Sequence, residues 1–326
     1  MQIYLLITEK CNLSCSMCIR GHQEGDVLSI ENLKKILKRG DFNNQDIVLT
    51  GGEPTLHPNF CDIVGQICAV AKTVIITSNG ILNYYIDTVK KYDNLRIQIS
   101  LDGEQKVHDK IRGVGTYYKT MKTIKILDKL GIPYSVATVV NRDNVFSMKN
   151  LCLELEKLNK LLFWKLSYEM PFANKNFEKM MSSNEWNTFV DNLIKQAKLR
   201  LHIKKIFPFE LYQKYKDIIK KSNIMKNRCF NCGSGSQKIY IYPNLNVYPC
   251  TCLVDFCVGN LMESRLENIC SSEKMKPFLN YKIDNNTVCN TCEYKVICNG
   301  GCIGMSYHYY GVLGKGDIRC SKLGVL

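Results

Sequence analysis

Short apolar segments alternate with longer amphipathic segments along the first half of the chain. The apolar runs predict buried β-strands, and apolar residues spaced three or four positions apart predict helices between them. Ser29 is a typical N-cap for the first helix, and Gly40 is a typical stop after it. Strands are predicted at 2–8, 46–50, 73–77, 95–101, 132–140 and 162–169, and helices at 29–38, 58–71, 81–91, 116–130 and 144–159.

Six strands that alternate with helices favour an α/β fold with a parallel sheet and right-handed crossovers. Glycine-rich and polar motifs follow the ends of several of these strands. The carboxyl edge of a parallel sheet or barrel usually carries the site. We therefore expect the chemistry of this chain at that edge.

The pattern changes twice beyond residue 170. Residues 171–228 predict a helical connector, with one helix beginning at Ser183 or Asn184 and another at Pro208. From Cys229 the regular periodicity fades and cysteines become frequent. A segment with so little core of its own is expected to fold around metal. The predicted domains are 1–170, 171–228 and 229–326.

The 326 residues include 17 cysteines and carry a formal net charge of +14. The chain has no apolar run of about 18 residues, so we expect no transmembrane helix. The apolar start, Ile3 to Ile7, is too short for a signal peptide, which predicts a cytoplasmic protein. Because disulfides are rare in the cytosol, clustered cysteines there indicate iron–sulfur or zinc sites. A basic tract at 195–228 is either a solvated helical face or a surface for an acidic partner.

Cys11, Cys15 and Cys18 lie together on the loop that follows the first strand. Three thiolates do not complete a structural zinc site, and His22 lies at an unusual offset for a fourth ligand. Soft thiolates suit an iron–sulfur cluster. A cubane held by three thiolates keeps one iron open for the amine and carboxylate of an amino acid.

Four further motifs follow successive strands in the same half of the chain. Together with the three cysteines, they make residues 2–170 resemble the radical SAM superfamily. The resemblance implies a partial (β/α)6 TIM-like barrel in which a [4Fe–4S] cluster binds S-adenosylmethionine (SAM) and cleaves it reductively to a 5′-deoxyadenosyl radical. The motifs are Gly51-Gly52-Glu53-Pro54, Ser78-Asn79-Gly80, Ile99-Ser100-Leu101-Asp102-Gly103 and His108-Asp109-Lys110-Ile111-Arg112-Gly113.

The resemblance also implies roles for individual residues in binding SAM. Glu53 would accept from the SAM ammonium, and Arg112 would pair with its carboxylate. Met17 replaces a usual aromatic residue, so only its backbone is expected to contact adenine. The other implied SAM-binding residues are Gly51, Gly52, Asn79, Ser100, Asp102 and, more weakly, Asn141 or Asn144.

The C-terminal cysteines resemble the SPASM domain, an extension of radical SAM enzymes that binds two auxiliary [4Fe–4S] clusters. At Leu245 the family pattern has glycine, and we expect Asn244 or Asn246 to take the left-handed conformation there. With the first cluster, the resemblance implies three [4Fe–4S] clusters. Auxiliary cluster I would take Cys229, Cys232, Cys250 and Cys302, and auxiliary cluster II Cys289, Cys292, Cys298 and Cys320.

Six cysteines remain outside these predicted sets. Cys252 and Cys257 are interpreted mainly as core thiols, with a ligand of cluster I or a hydrogen-atom donor as alternatives. Cys252 is the weak catalytic candidate. Cys61, Cys68, Cys152 and Cys270 have ordinary helical or loop surroundings and are interpreted as packing residues.

The resemblance favours a maturase that acts on a ribosomally made precursor peptide. Its product would be a thioether, a carbon–carbon crosslink or an epimerised residue. Alternatives are an anaerobic sulfatase-maturating enzyme and a small-molecule dehydrogenase. Thr251 argues against the former, which carries an Asp at that position. An RNA-modifying enzyme and a non-catalytic electron carrier are disfavoured, as is membrane binding.

The resemblance also implies partners for this chemistry. A flavodoxin or ferredoxin would supply electrons. Because only ten residues precede Cys11, we expect the peptide leader to bind a separate protein, the basic tract or the barrel mouth.

Overall fold

The computed structural model describes residues 1–21, 24–40, 42–204 and 234–325. Its strands form one sheet in the order β10-β9-β8-β1-β2-β3-β4-β5-β6-β7, so β10 and β7 are the described edges. All six predicted strands are confirmed as β1 to β6, each parallel to the next. The bounds are β1 Gln2–Thr8, β2 Asp46–Gly51, β3 Thr73–Ser78, β4 Leu95–Ser100, β5 Tyr134–Val140, β6 Leu161–Tyr168, β7 Leu201–Lys204, β8 Lys238–Ile241, β9 Asn246–Tyr248 and β10 Gly259–Asn260.

Helices cover one face of the sheet because alternate strand residues, such as Ile47 and Leu49, are apolar and fully buried against them. The Ser29 hydroxyl accepts from the backbone N–H of Asn32, and Gly40 ends the first helix, as predicted. The helices are α1 Ile30–Arg39, α2 Phe60–Val70, α3 Ile86–Val89, α4 Gln105–Arg112, α5 Thr116–Lys129, α6 Met148–Leu155, α7 Ser183–Gln196, α8 Leu266–Cys270, α9 Lys276–Leu279, α10 Lys295–Cys298 and α11 Ile303–Tyr310.

Strands β7 and β8 extend the parallel sheet at the two sides of the predicted six strands. β7 pairs with β6, and β8 pairs with β1. The prediction of a wholly helical connector at 171–228 is therefore wrong for 201–204, where the backbone bonds to the exposed edge of β6. The predicted helix at Pro208 lies outside the described residues. Because β8 joins β1, part of the C-terminal segment shares the sheet of the N-terminal domain.

Two helices differ from their predictions. The predicted helix at 81–91 is reduced to the single turn α3. Helix α4 was not predicted, because it buries only His108 and Ile111 and so has little apolar periodicity. Gly113, at a φ of 115°, ends it.

The hairpin between β8 and β9 corrects the expectation for Asn244 and Asn246. Leu245 itself takes the left-handed conformation, with a φ of 70°. Its N–H donates to the carbonyl of Tyr242 at 2.9 Å, and its side chain is fully buried. Packing of this side chain offsets the local backbone cost, which is about 1–2 kcal/mol for a non-glycine residue.

Across the described ranges, none of the helices combines the length and the apolar character needed to cross a membrane.

Candidate functional site

The loop after β1 brings the predicted cluster cysteines to the carboxyl edge of the sheet. Cys11, Cys15 and Cys18 are all partly exposed and are not in disulfides. The loop is held by its backbone, since the N–H of Ser16 donates to the carbonyl of Ile111 at 3.1 Å. The three partly exposed cysteines thus lie on a loop that is anchored to the end of helix α4.

The glycine motif after β2 packs directly against the base of this cysteine loop. Gly52 N–H donates to the Thr8 carbonyl at 2.9 Å, and Glu53 N–H donates to the Lys10 carbonyl at 2.8 Å. A Cβ on Gly51 would lie 2.1 Å from the Thr8 oxygen, and one on Gly52 would lie 2.3 Å from the Lys10 oxygen. Both positions therefore require glycine for close approach of the two backbones.

The Glu53 carboxyl is buried and accepts hydrogen bonds from two neighbouring segments. One oxygen accepts from the Thr55 hydroxyl at 2.7 Å and the Ser78 hydroxyl at 2.9 Å, and the other accepts from Asn79 N–H at 2.7 Å. Burial raises the pKa of Glu53, although these hydrogen bonds oppose the shift. Asn79 also bonds through its side chain to Asn12, the residue after Cys11, at 2.8 Å.

A buried ion pair joins the ends of β4 and α4 to the cysteine loop. The Arg112 Nε donates to one oxygen of Asp102, whose other oxygen accepts from Val139 N–H at 2.8 Å. The Arg112 Nη1 lies 3.8 Å from the Cys15 sulfur. Burial raises the pKa of Cys15 to about 11, and the cationic Arg112 opposes that shift. A cation is therefore already beside one thiol of the predicted cluster.

Met17, Ser100 and Asn141 complete the predicted SAM-binding set. Met17 is buried, Ser100 is half-buried, and Ser100 is paired with Ala137 on β5. Asn141 accepts from Asp143 N–H at 3.0 Å. Burial raises the pKa of Glu169, and the Asn141 side chain opposes that shift. The predicted SAM-binding residues thus follow the ends of β1 to β5, except Arg112, which is the last residue of helix α4.

A second cysteine site lies in the C-terminal segment. One cavity is lined by Asp317 and by all four cysteines predicted for auxiliary cluster II. A Cβ on Gly316 would lie 3.1 Å from the Cys289 sulfur, so this glycine keeps the cavity open. Burial raises the pKa of Cys320 to about 11, and the neighbouring Cys289 adds to that shift.

The ligands predicted for auxiliary cluster I are only partly described. Cys250 is partly exposed and Cys302 is buried, whereas Cys229 and Cys232 lie outside the described residues. Cys252 is buried, and its carbonyl is 2.6 Å from the His308 Nε2. The other cysteines outside the predicted sets are buried or partly buried: Cys61, Cys68, Cys152, Cys257 and Cys270.

The residues present fit the implied groups. Three partly exposed thiols on one loop next to a buried cation suit a three-thiolate cluster, and four thiols around one cavity suit a closed cluster. In the described part of the chain, no three His, Cys, Asp or Glu side chains converge on one point as ligands of a single metal ion. The fit therefore concerns the type of the donors and their placement on one loop or around one cavity.

A contact between the two cysteine regions was not predicted. Arg20, two residues after Cys18, pairs with Glu9 at 3.1 Å and lies 3.5 Å from the hydroxyl of Thr251, which follows Cys250. These residues lie 231 positions apart, and no local pattern marks such a contact. The unpredicted partners Asn12 and Glu169 are long-range contacts of the same kind.

Comparisons with known proteins give relatives of several activities. The chain is 26% identical over 311 residues to the antilisterial bacteriocin subtilosin biosynthesis protein AlbA of Bacillus subtilis, covering 91% of this chain and 65% of AlbA. It is 25% identical to the AdoMet-dependent heme synthase of Nitratidesulfovibrio vulgaris, covering 94% and 88% of the two chains. It is 26% identical to the cysteine-type anaerobic sulfatase-maturating enzyme of Clostridium novyi, covering 90% and 85%.

A solved structure supports the fold, and two family models match separate segments of the chain. Streptococcus suis SuiB bound to precursor peptide SuiA has the same fold, with a TM-score of 0.74 at 16% identity over 99% of this chain and 75% of SuiB. The profile described as radical SAM superfamily matches residues 5–152, and the SPASM profile, described as an iron–sulfur cluster-binding domain, matches residues 229–293. The chain therefore belongs to the radical SAM superfamily, in its SPASM-domain subgroup.

Proposed function

We propose that this protein is a radical SAM/SPASM maturase that acts on a ribosomally made precursor peptide. Three thiols on one loop, one of them beside the guanidinium of Arg112, carry the proposal, because they combine ligands for an open-iron cluster with a nearby cation. When bound there, a [4Fe–4S] cluster and SAM would supply a 5′-deoxyadenosyl radical for hydrogen abstraction. The product would be a thioether, a carbon–carbon crosslink or an epimerised residue.

The chain's own residues would hold and orient SAM. Arg112 would pair with its carboxylate and Glu53 would accept from its ammonium, while Met17, Asn79, Ser100, Asp102 and Asn141 would contact the nucleoside. In the structure one Asp102 oxygen accepts from Arg112 and the other accepts from Val139 N–H, so Asp102 would also orient Arg112. Glu53 has a single described donor on one of its oxygens, which leaves a lone pair for an ammonium.

The peptide substrate is supported by the relative AlbA, a bacteriocin biosynthesis protein, and by the SuiB fold, which was solved with a precursor peptide. The chain spans 65% of AlbA's length, so the assignment of a peptide substrate remains part of this proposal.

Thr251 argues against the sulfatase-maturating alternative, which carries an Asp after the cysteine that corresponds to Cys250. The Thr251 hydroxyl lies within hydrogen-bonding distance of Arg20 and Tyr242, and a hydroxyl so placed is a poor general base.

The remaining partners follow from the same chemistry. A flavodoxin or ferredoxin would deliver electrons, and the basic tract at 195–228 would bind an acidic leader, with a separate leader-binding protein as the alternative. Most of this tract lies outside the described residues. Charge reversal at Lys204, Lys205, Lys220 and Lys221 should weaken precursor binding at low salt, and unchanged affinity would exclude the tract as the leader site.

The first test is the iron content and SAM cleavage of reconstituted protein. Three clusters hold about twelve iron atoms, and replacing Cys11, Cys15 and Cys18 with Ala should leave about eight and abolish SAM cleavage. A matched control replaces Cys61, Cys68 and Cys152, three helical cysteines, and should keep both. Retained SAM cleavage in the first variant would reject the proposal.

The second test identifies the substrate by mass spectrometry. The enzyme is incubated with SAM, a reductant and candidate precursor peptides, and in parallel with a sulfatase peptide and a porphyrin substrate. A crosslink removes two hydrogens from the peptide, whereas epimerisation leaves the mass unchanged in water and adds deuterium in D2O. Modification of only the sulfatase peptide or the porphyrin would assign one of the alternative functions.

A further inference from the structure

A fully buried ion pair lies beside the second cysteine site. Asp317 and Arg319 are each about 1% exposed. The Arg319 Nε donates to one oxygen of Asp317 at 2.9 Å, and Nη2 donates to the other at 2.7 Å. Burying two charges costs free energy, and such a pair is often no more stabilising than apolar residues of the same size. A role besides stability is therefore worth examining.

Asp317 contacts one predicted ligand of each auxiliary cluster. The side-chain oxygen Oδ2 accepts from the N–H of Cys302 at 3.0 Å, and the backbone carbonyl accepts from the N–H of Cys320 at 2.9 Å. Cys302 is assigned to cluster I and Cys320 to cluster II. One residue thus fixes the backbone at a ligand of both clusters.

Arg319 connects this arrangement to the barrel. The Nη1 donates to the carbonyl of Tyr168 at 3.3 Å, at the end of β6, and the guanidinium lies 5.2 Å from the centre of the Tyr168 ring. The chain of contacts therefore runs from strand β6 through Arg319 and Asp317 to both cysteines.

The pair also sets the charge around the cavity of cluster II. Asp317 lines this cavity together with the four predicted ligands, so its negative charge lies next to them. Iron–sulfur clusters with four thiolates carry further negative charge. The guanidinium of Arg319 is held against Asp317, and both side chains are buried. Its positive charge therefore offsets the negative charge of Asp317 at short range in a medium of low dielectric constant.

We propose that Asp317 and Arg319 are positioning residues that hold Cys302 and Cys320 for the two auxiliary clusters and set the reduction potentials of those clusters. The inference rests on the proposed function, since it requires the auxiliary clusters assigned there. Loss of the cation makes it harder to add an electron to a nearby cluster, because negative charge is no longer offset. Removing Arg319 should therefore make the auxiliary potentials more negative.

The test uses the full chain in which Cys11, Cys15 and Cys18 are replaced with Ala, so that only auxiliary clusters are observed. Into this background we place Arg319→Met, Arg319→Lys and the control Lys315→Met. Lys315 pairs with Asp284 at 2.6 Å in the same segment, and its N–H donates to the Ser306 hydroxyl, so neither of these described partners is a predicted ligand. Iron content, circular dichroism and a redox titration followed by electron paramagnetic resonance are measured for each.

The Arg319→Met variant should retain the parent's secondary structure, fall from about eight iron atoms towards about four, and titrate at more negative potential. Arg319→Lys keeps the charge, so it should retain most of the iron and shift the reduction potentials less than Arg319→Met does. Lys315→Met should match the parent in both measurements. Parent-like iron and potentials in Arg319→Met would overturn the inference. If Arg319→Met does not fold, parent-like iron content and potentials in Asp317→Asn would overturn it.

Failure of the proposed function gives a different result. If the parent protein, with Cys11, Cys15 and Cys18 replaced by Ala, binds no iron, the auxiliary clusters themselves are wrongly assigned. The parent alone gives this result, without any substitution at Arg319.

Discussion

The side-chain amide of Asn79 donates a hydrogen bond of 2.8 Å to the side-chain oxygen of Asn12. Asn12 follows Cys11, and Asn79 follows β3, so the bond joins the cysteine loop to a strand end 67 residues away. The backbone N–H of Asn79 donates in turn to Glu53. The motif after β3 therefore helps to hold the cysteine loop as well as the Glu53 carboxyl, which is predicted to bind SAM.

A double-mutant cycle tests this bond. Asn12→Ala and Asn79→Ala should each lower the free energy of unfolding. The double variant should lose less than the sum of the two single losses, by about 0.5–1.5 kcal/mol, which is the net value of one hydrogen bond. Asn94→Ala serves as the control, since its amide bonds the carbonyls of Cys68 and Ala71. The stability losses of Asn94→Ala and Asn12→Ala should simply add. If the losses of Asn12→Ala and Asn79→Ala also added, the bond between these two side chains would contribute nothing to stability.

Gly52→Ala should damage the first cluster site. The new Cβ would lie 2.3 Å from the Lys10 carbonyl, which is backbone and cannot rotate away. We expect a loss of about 3 kcal/mol of folding free energy and of about four iron atoms. Gly65→Ala is the control, because its Cβ meets only the Tyr92 hydroxyl at 2.9 Å. Full iron content in Gly52→Ala would contradict the requirement for close approach.

His57 should make the stability of the protein depend on pH. The ring is buried, with Nδ1 accepting from Asn59 N–H at 3.0 Å and Nε2 within 2.7 Å of the Leu28 carbonyl, an arrangement that requires the neutral ring. Burial lowers the pKa of His57. The unfolded chain therefore binds a proton at higher pH than the folded protein, and stability falls as pH drops below 6.5.

The measurement compares thermal unfolding of the wild type and His57→Gln between pH 7.5 and 5.5. The wild type should lose stability faster than the variant, by up to about 1.4 kcal/mol per pH unit below the unfolded pKa. Parallel curves for the two proteins would show that His57 does not titrate differently on folding.

Leu245 should respond unusually to shortening of its side chain. Leu245→Ala should cost about 2–5 kcal/mol because a fully buried side chain is lost. Leu245→Gly should cost about 1 kcal/mol less than Ala, because glycine relieves the positive φ. Leu253 is equally buried and is not among the residues with positive φ, so there Gly should be worse than Ala. The same order at both positions, by chemical denaturation, would argue against strain at Leu245.

Much of the fold follows from patterns a few residues long. The apolar runs that became β1 to β6 were predictable because strand and helix periodicity is written locally. The shortness of α3 and the existence of α4 were not predictable in this way, since each helix has only two buried positions to mark it. β7 and β8 were missed as members of the parallel sheet, because their pairing to β6 and β1 depends on residues far along the chain.

The spacing of Cys11, Cys15 and Cys18 and the residues after each strand can be read from the chain alone, because the spacing of ligands on one loop is local. That Arg112 lies beside Cys15, and that Asp317 contacts both Cys302 and Cys320, follows from the folded structure. It also decided that Leu245, and not a neighbouring asparagine, takes the left-handed conformation. The physical reason is shared: contacts between distant residues, and the strain that they offset, depend on how the whole chain packs.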